Sequence, residues 1–237
     1  MTTIIDFDAP YDGQVLKADH YVGRDSNRIL YLHGAGGSTR RGHHMLRSAL
    51  QERGLGSVCF DAIGHGETGG TFAQSSVASR TRQAQAVLAA RPLPEPLVIV
   101  GSSMGAYNAI RLSRQHRVDA LVLIVPGVYT PSAYEVPFGP EFSAIIRRDR
   151  SWADSDAWEI LSRFEGRLLV IHAEHDATIP LELSERLVAA ATSAQARQLH
   201  IVQGAAHNRL WSLLAETPSD FDAAVDLVAA MVNGGRQ

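Results

Sequence analysis

Short apolar runs alternate with segments of helical spacing along most of the chain, and this alternation constrains the fold more than any other feature. The runs are Ile29–Leu32, Val58–Phe60, Leu97–Val100, Leu121–Val125, Leu168–Ile171 and Leu199–Val202. They are almost continuously apolar, which is typical of strands that are covered on both faces of a sheet. The repeated β-then-α order predicts an α/β fold with a mostly parallel, doubly wound sheet.

The beginning of the chain follows a different pattern. Residues 3–7 and 14–22 are strand-like, and Asp12-Gly13 between them is a turn signal. We therefore expect an antiparallel hairpin at one edge of the sheet.

The chain has 237 residues and no stretch that resembles a linker, so we expect a single domain over residues 1–237. The interval between Val125 and Leu168 is too long for a simple crossover. It predicts an insertion at about residues 126–166 that forms a short lid over a binding site. An ordinary crossover helix with a decorated loop is the alternative.

Composition narrows the classes of partner. The formal net charge is -3, which gives no electrostatic footprint for nucleic acid or an anionic membrane. No apolar run reaches the roughly 20 residues that a spanning helix needs. The single cysteine, Cys59, cannot form an internal disulfide, and Met1–Asp8 lacks the pattern of a signal peptide. These features predict a soluble, cytoplasmic protein without nucleic-acid or membrane partners, and its oligomeric state stays open.

A serine lies at the centre of a strand-to-helix turn. Gly101-Ser102-Ser103-Met104-Gly105 has the form G-x-S-x-G, and it follows the run Leu97–Val100 and precedes a helical segment. Such a turn lifts the central hydroxyl above the sheet, next to the positive end of the following helix. Ser103 is therefore the candidate nucleophile.

A glycine-rich turn follows the earlier run Ile29–Leu32. It reads His33-Gly34-Ala35-Gly36-Gly37-Ser38. The backbone N–H groups of Ala35 and Met104 are the candidates for an oxyanion hole. A phosphate-binding loop is the rival interpretation, but the turn matches neither the P-loop nor the G-x-G-x-x-G pattern.

An acid and a base follow the last two apolar runs. Asp176 comes after Leu168–Ile171, and His207 comes after Leu199–Val202. The carboxyl ends of parallel strands share one edge of a sheet, so both side chains are expected near Ser103. A serine needs an imidazole to take its proton, and the imidazole needs a carboxylate to orient it. Glu174 is the rival acid.

These motifs together resemble the α/β-hydrolase superfamily. His33-Gly34, Asp61-Ala62-Ile63-Gly64-His65-Gly66 and Gly101–Gly105 match its recurring loops and its nucleophile elbow. The resemblance implies an eight-stranded sheet with the second strand antiparallel. It also implies a Ser-Asp-His triad, acyl-enzyme chemistry and no cofactor. A metal site built on His172, His175, Asp176 and His207 matches no strong signature.

The expected activity is hydrolysis of a carboxylic ester or thioester of a small, largely apolar substrate. The alternatives that use the same triad are cleavage of an amide or carbon–carbon bond and acyl transfer. A ligand-binding module without catalysis is an alternative of another class. Among the aromatic residues of the insertion, Tyr129, Trp152 and Trp158 are the candidates for the substrate pocket.

Overall fold

An eight-stranded sheet forms the centre of the computed structural model, which describes residues 3–234. Its strands are β1 (Thr3–Tyr11), β2 (Gln14–Val22), β3 (Ser26–Leu32), β4 (Leu55–Phe60), β5 (Leu97–Ser102), β6 (Val118–Ile124), β7 (Arg167–Ala173) and β8 (Ala196–Val202). Their order across the sheet is β1-β2-β4-β3-β5-β6-β7-β8. The six strands β3 to β8 pair in parallel, which confirms the predicted mostly parallel sheet.

The antiparallel pairing is confined to the beginning of the chain. β2 is antiparallel to both β1 and β4, and β1 and β2 form the expected edge hairpin. Asp12 and Gly13 at its tip have positive φ angles of 47° and 73°. A two-residue hairpin turn needs this backbone, and an Asp-Gly pair adopts it readily.

Eight helices of the described chain accompany the sheet. They are α1 (His44–Glu52), α2 (Val77–Ala90), α3 (Gly105–Leu112), α4 (Pro140–Ile146), α5 (Ala157–Ser162), α6 (Leu181–Ala190), α7 (Leu210–Leu214) and α8 (Pro218–Asn233). Short 3₁₀ turns lie at Arg40–His43, Phe72–Gln74 and Pro131–Ala133.

Successive strand residues point to opposite faces, so the sheet has two cores. Leu30 and Leu32 belong to the first core, which also receives side chains of α2, α3 and α6. Ile29 and Tyr31 belong to the second core, where α1, α7 and α8 pack. The near-continuous apolar character of the strands follows from this coverage on both sides.

The segment between β6 and β7 packs beside the first core. It carries α4 and α5, and α5 contacts α3 and α6. Backbone hydrogen bonds join it to the start of α2, because Ala78 N–H donates to the Tyr134 carbonyl and Phe138 N–H donates to the Ser75 carbonyl. Its function as a lid stays a prediction. Within residues 3–234, no helix has the length and apolar character needed to cross a bilayer.

Candidate active site

Ser103 lies in a tight turn between β5 and α3. Its φ angle is 50°, a left-handed conformation that costs a non-glycine residue about 1–3 kcal/mol. The flanking glycines allow this turn, because a Cβ on Gly101 would lie 2.5 Å from the Gly105 carbonyl oxygen and one on Gly105 would lie 2.2 Å from the Leu32 carbonyl oxygen. The G-x-S-x-G spacing therefore permits α3 to start directly against the sheet.

Three side chains from distant parts of the sequence meet at the carboxyl edge of the sheet. Asp176 follows β7, and His207 follows β8. His207 Nε2 lies 3.2 Å from Ser103 Oγ, and His207 Nδ1 lies 2.6 Å from Asp176 Oδ2. An Nδ1–H donated to the carboxylate leaves the Nε2 lone pair facing the serine hydroxyl, which is the tautomer that a general base requires.

The surroundings of Asp176 favour its charged form. Its Oδ1 accepts hydrogen bonds from the backbone N–H groups of Thr178 and Ile179, both at 2.8 Å. Burial raises the pKa of this carboxyl, but the hydrogen bonds from His207 and from the two backbone groups outweigh burial and lower the pKa overall. Glu174, the rival acid, instead accepts a hydrogen bond from Gly204 N–H at 2.7 Å.

The turn after β3 lies directly beside the nucleophile. A Cβ built on Gly34 would lie 3.2 Å from Ser103 Cβ and 3.8 Å from Ser103 Oγ. Neither Ala35 N–H nor Met104 N–H has a hydrogen-bond acceptor within residues 3–234. Free donors next to the serine are what an oxyanion hole needs, so the assignment of this pair to an oxyanion hole continues as a proposal.

A cavity of about 540 Å³ opens over Ser103. Its lining includes His43 and Met45 from the 3₁₀ turn and α1, and Leu210 and Trp211 from α7. Val125 also lines the cavity and has a φ angle of 41°, which is rare for a β-branched residue. Among the described residues that line the cavity, none is Asp, Glu, Lys or Arg.

The three aromatic residues predicted to bind substrate do not line this cavity. Tyr129 packs edge-on against Tyr107, and Trp152 and Trp158 pack against each other with ring centroids 6.1 Å apart. All three belong to the first core or pack against it. The rings help to hold the 126–166 segment against the neighbouring helices, and their part in substrate binding stays a prediction.

Sequence reasoning missed His43 as part of the cavity wall. Its ring lies 4.5 Å from the Tyr31 ring, Nδ1 lies 3.0 Å from Tyr31 Oη, and Nε2 lies 3.2 Å from Ser38 Oγ. Burial and the nearby Arg47 lower the pKa of His43 to about 4, so the ring is neutral near pH 7. It lies in a polar stretch without a strong pattern, and only its position soon after the glycine-rich turn could have indicated it. Trp211, four residues after His207, offers a similar positional signal.

Comparisons with known proteins identify a family and several relatives of similar sequence. A family model described as serine aminopeptidase, S33 matches residues 24–153, more than half of the chain. The lysophosphatidylserine lipase ABHD12 of Danio rerio is 31% identical over 194 residues, which cover 74% of this chain and 50% of the lipase. An uncharacterized protein of Mycobacterium tuberculosis is 31% identical over 193 residues, which cover 80% of this chain and 66% of that protein. The chain thus spans about half to two thirds of the length of these relatives.

Solved structures share the fold at low sequence identity. The esterase Pf2001 of Pyrococcus furiosus superposes with a TM-score of 0.73 at 17% identity, covering 98% of this chain and 92% of the esterase. Est1E of Butyrivibrio proteoclasticus, solved with ferulic acid, gives 0.71 at 18% identity, covering 94% of this chain and 99% of Est1E. At such identities the likeness shows the fold alone.

Proposed function

The chain belongs to the serine aminopeptidase S33 family of the α/β-hydrolase superfamily, and from this premise we propose that it hydrolyses a carboxylic ester or thioester through an acyl-enzyme on Ser103. Membership in the family already makes it a serine hydrolase. The bond cleaved, the roles of individual residues and the kind of substrate are the parts we propose.

One observation carries the proposal. The His207 imidazole lies between the Asp176 carboxylate at 2.6 Å and the Ser103 hydroxyl at 3.2 Å. Both distances are those of a hydrogen-bonded nucleophile, base and orienting acid. These residues come from three separate strand ends, and a surface histidine has no reason to bridge them.

The reaction proceeds in two halves. Ser103 Oγ attacks the carbonyl carbon while His207 Nε2 takes the hydroxyl proton, and the carbonyl electron pair moves onto oxygen, facing the N–H groups of Ala35 and Met104. As the pair returns, the bond to the leaving alcohol or thiol breaks and His207 gives it the proton. Water then attacks the acyl-enzyme in the same way, which releases the acid and restores Ser103. Asp176 stays ionised throughout and stabilises the protonated imidazole.

The cavity supports an uncharged substrate. Its described lining contains no carboxylate to bind a peptide amino terminus and no cation to bind a free acid. Burying an unpaired charge there would cost several kcal/mol, so charged groups close to the scissile bond are disfavoured. Met45, Leu210 and Trp211 offer apolar contacts to an acyl chain or an aryl group. An ester therefore fits this cavity better than the peptide that the family description suggests.

The relatives support an ester in the same sense. One of the proteins matched over 74% of this chain is described as a lipase. Lipases cleave carboxylic esters, whereas the lysophosphatidylserine in its name belongs to a protein of which this chain spans 50%. We therefore carry over the type of bond and not the head group.

Covalent labelling tests the assignment of the nucleophile. A fluorophosphonate probe should label the wild type on Ser103, and Ser103→Ala should abolish both labelling and ester turnover, with a loss in kcat of about 10⁴-fold or more. Ser102→Ala is the matched control, because it removes the neighbouring hydroxyl and should keep labelling. Labelling that survives in Ser103→Ala, or a folded wild type that takes no label, would overturn the proposal.

A substrate panel tests the type of bond. The wild type should turn over p-nitrophenyl butyrate or an acyl thioester faster than an alanine anilide or a β-diketone. Preference for the anilide would identify a peptidase, and preference for the diketone would identify a carbon–carbon hydrolase. Either result would contradict the ester assignment while leaving the triad in place.

A further inference from the structure

Arg80 is a buried cation that has no acid partner within the described part of the chain. It lies on α2 and is 4% exposed. Within residues 3–234, its guanidinium contacts only the Met104 sulfur, the His33 ring and the His33 and Gly34 carbonyls, and no carboxylate is among its partners. Burial lowers the pKa of Arg80 to about 10, so the side chain still carries its charge near pH 7. Burying such a charge destabilises the fold unless hydrogen bonds offset the free energy of removing it from water.

The two terminal nitrogens of Arg80 contact the two turns that flank the nucleophile. Nη2 donates to the His33 carbonyl at 2.7 Å and to the Gly34 carbonyl at 3.0 Å. Nη1 lies 3.3 Å from Met104 Sδ. One side chain thus contacts Gly34, whose carbonyl shares a peptide group with the Ala35 N–H, and Met104, whose own N–H is the second candidate for the oxyanion hole.

The Gly34 carbonyl and the Ala35 N–H belong to the same peptide group. A cation at the carbonyl oxygen pulls electron density toward oxygen and makes the N–H at the other end a stronger donor. Hydrogen bonds to charged groups are about twice as strong as neutral ones, which increases this polarisation. We propose that Arg80 is a positioning residue that polarises the Gly34–Ala35 peptide and thereby strengthens the oxyanion hole; this inference rests on the proposed function.

His33 supplies a second donor to the same carbonyl. Its Nδ1 lies 2.7 Å from the Gly34 oxygen, and its Nε2 accepts a hydrogen bond from Ala62 N–H at 3.0 Å. This network assigns the neutral tautomer with a proton on Nδ1. Burial, followed by the charge of Arg80, holds the pKa of His33 well below its usual range. The positive charge at the Gly34 oxygen is therefore that of Arg80, and His33 orients the peptide without adding charge.

A purely structural role makes a different prediction. If Arg80 only fixed the loop, its loss would loosen substrate binding and the transition state together. If it polarises the peptide, the loss appears mainly when negative charge develops on the substrate oxygen, because only interactions stronger in the transition state change kcat.

The test compares Arg80→Met, which keeps an unbranched stem of similar length, with the wild type. We expect kcat for p-nitrophenyl butyrate to fall about 10- to 100-fold while KM changes less than about twofold. The inhibition constant of an alkyl trifluoromethyl ketone, which forms a tetrahedral oxyanion with Ser103, should rise by the same factor by which kcat/KM falls. Arg80→Lys keeps the charge with fewer donors, so its loss should be smaller and show the same proportionality.

Arg47→Met is the matched control. Arg47 is also fully buried, but it donates to Ser57 and pairs with Asp19, on the other side of the sheet from α2. This variant should lower the melting temperature while leaving kcat and ketone affinity near the wild-type values.

Two results would overturn the role of Arg80. One is an Arg80→Met enzyme with unchanged kcat. The other is a fall in kcat that is accompanied by a comparable rise in KM, while the affinity for the ketone stays unchanged. If Arg80→Met does not fold, Arg80→Gln decides, because glutamine is neutral but can still donate to the two carbonyls; wild-type kcat and ketone affinity in that variant would overturn the inference. Failure of the proposed function would appear earlier, as a wild type that takes no fluorophosphonate label.

Discussion

Gly34 lies so close to the nucleophile that a single methyl group there should impair catalysis. A Cβ at this position would lie 3.2 Å from Ser103 Cβ, a distance tighter than most real contacts, so Ser103 or the loop must shift. Misplacement of reacting groups by a fraction of an ångström to about 1 Å can cost about 100-fold in rate. We therefore expect Gly34→Ala to lower kcat about 10- to 100-fold with little change in melting temperature.

Gly37 provides the control in the same turn. A Cβ there would meet no atom within 4 Å, so Gly37→Ala should keep kcat within about twofold of the wild type. Steady-state kinetics on p-nitrophenyl butyrate with both variants measures the difference. Equal activity of the two variants would show that the Gly34 loop does not approach Ser103 as closely as described.

At the scale of elements, we expect substitutions in α7 to change the acyl-chain specificity and substitutions in the 126–166 segment to leave it unchanged. Trp211 on α7 lines the cavity, whereas Trp158 on α5 packs against Trp152 and beneath Arg186, away from it. Trp211→Ala should enlarge the cavity and shift the preferred p-nitrophenyl ester toward longer acyl chains, with a several-fold rise in KM for short ones. Trp158→Ala should cost less than the roughly 3–5 kcal/mol that is typical of a fully buried tryptophan, because Trp158 is only partly buried, and should leave the chain-length profile unchanged.

A panel of acyl chains from two to twelve carbons measures both profiles. A changed profile in Trp158→Ala with an unchanged one in Trp211→Ala would mean that the 126–166 segment forms the substrate pocket after all. That outcome would support the sequence-based prediction that Trp152 and Trp158 bind substrate.

Strands could be predicted well from the sequence where burial on both faces was the dominant signal. The runs Ile29–Leu32 and Leu97–Val100 lie inside β3 and β5, because both faces of these strands are covered. β8 was expected to begin at Leu199 but begins at Ala196, since an edge strand tolerates polar residues such as Arg197. The predicted run to Val125 overshoots β6, because Val125 turns to a positive φ angle.

Only those residues of the candidate site that directly follow a strand could be predicted from the sequence. Ser103, Asp176 and His207 each follow a strand, and parallel strands bring such positions to one edge. The cavity wall depends on how loops and short helices pack, which leaves no periodic signal in the chain. Aromatic composition favoured Trp152 and Trp158, yet apolar rings serve a core as readily as a pocket. Arg80 was equally hidden, because an arginine on a helix usually faces solvent.

For the whole molecule, buried neutral histidines predict a loss of stability in mild acid. The pKa values of five histidines are lowered from 6.5, with burial as the largest cause in each: His20, His33, His43, His65 and His172. Below pH 6.5 these histidines bind more protons in the unfolded chain than in the folded chain, so the free energy of unfolding falls as pH falls. Asp119 and Asp176 have pKa values lowered from 3.8, so their contribution is lost only at more acidic pH. The loss of stability from the histidines therefore begins at higher pH than the loss from these two carboxylates.

His43→Gln isolates one histidine from this effect. With a pKa of about 4 in the folded protein and 6.5 as the ordinary value, His43 should account for roughly 1–2 kcal/mol of the stability lost between pH 7 and pH 5. Glutamine can still hydrogen-bond Tyr31 but does not titrate, so the variant should lose less stability over that interval, whatever its stability at pH 7. Urea unfolding at pH 7, 6 and 5 measures the slope, and His175→Gln is the control because that side chain is 68% exposed. A slope equal to that of the wild type in His43→Gln would mean that His43 is not held neutral by burial, and the uncharged character of this wall of the cavity would fail with it.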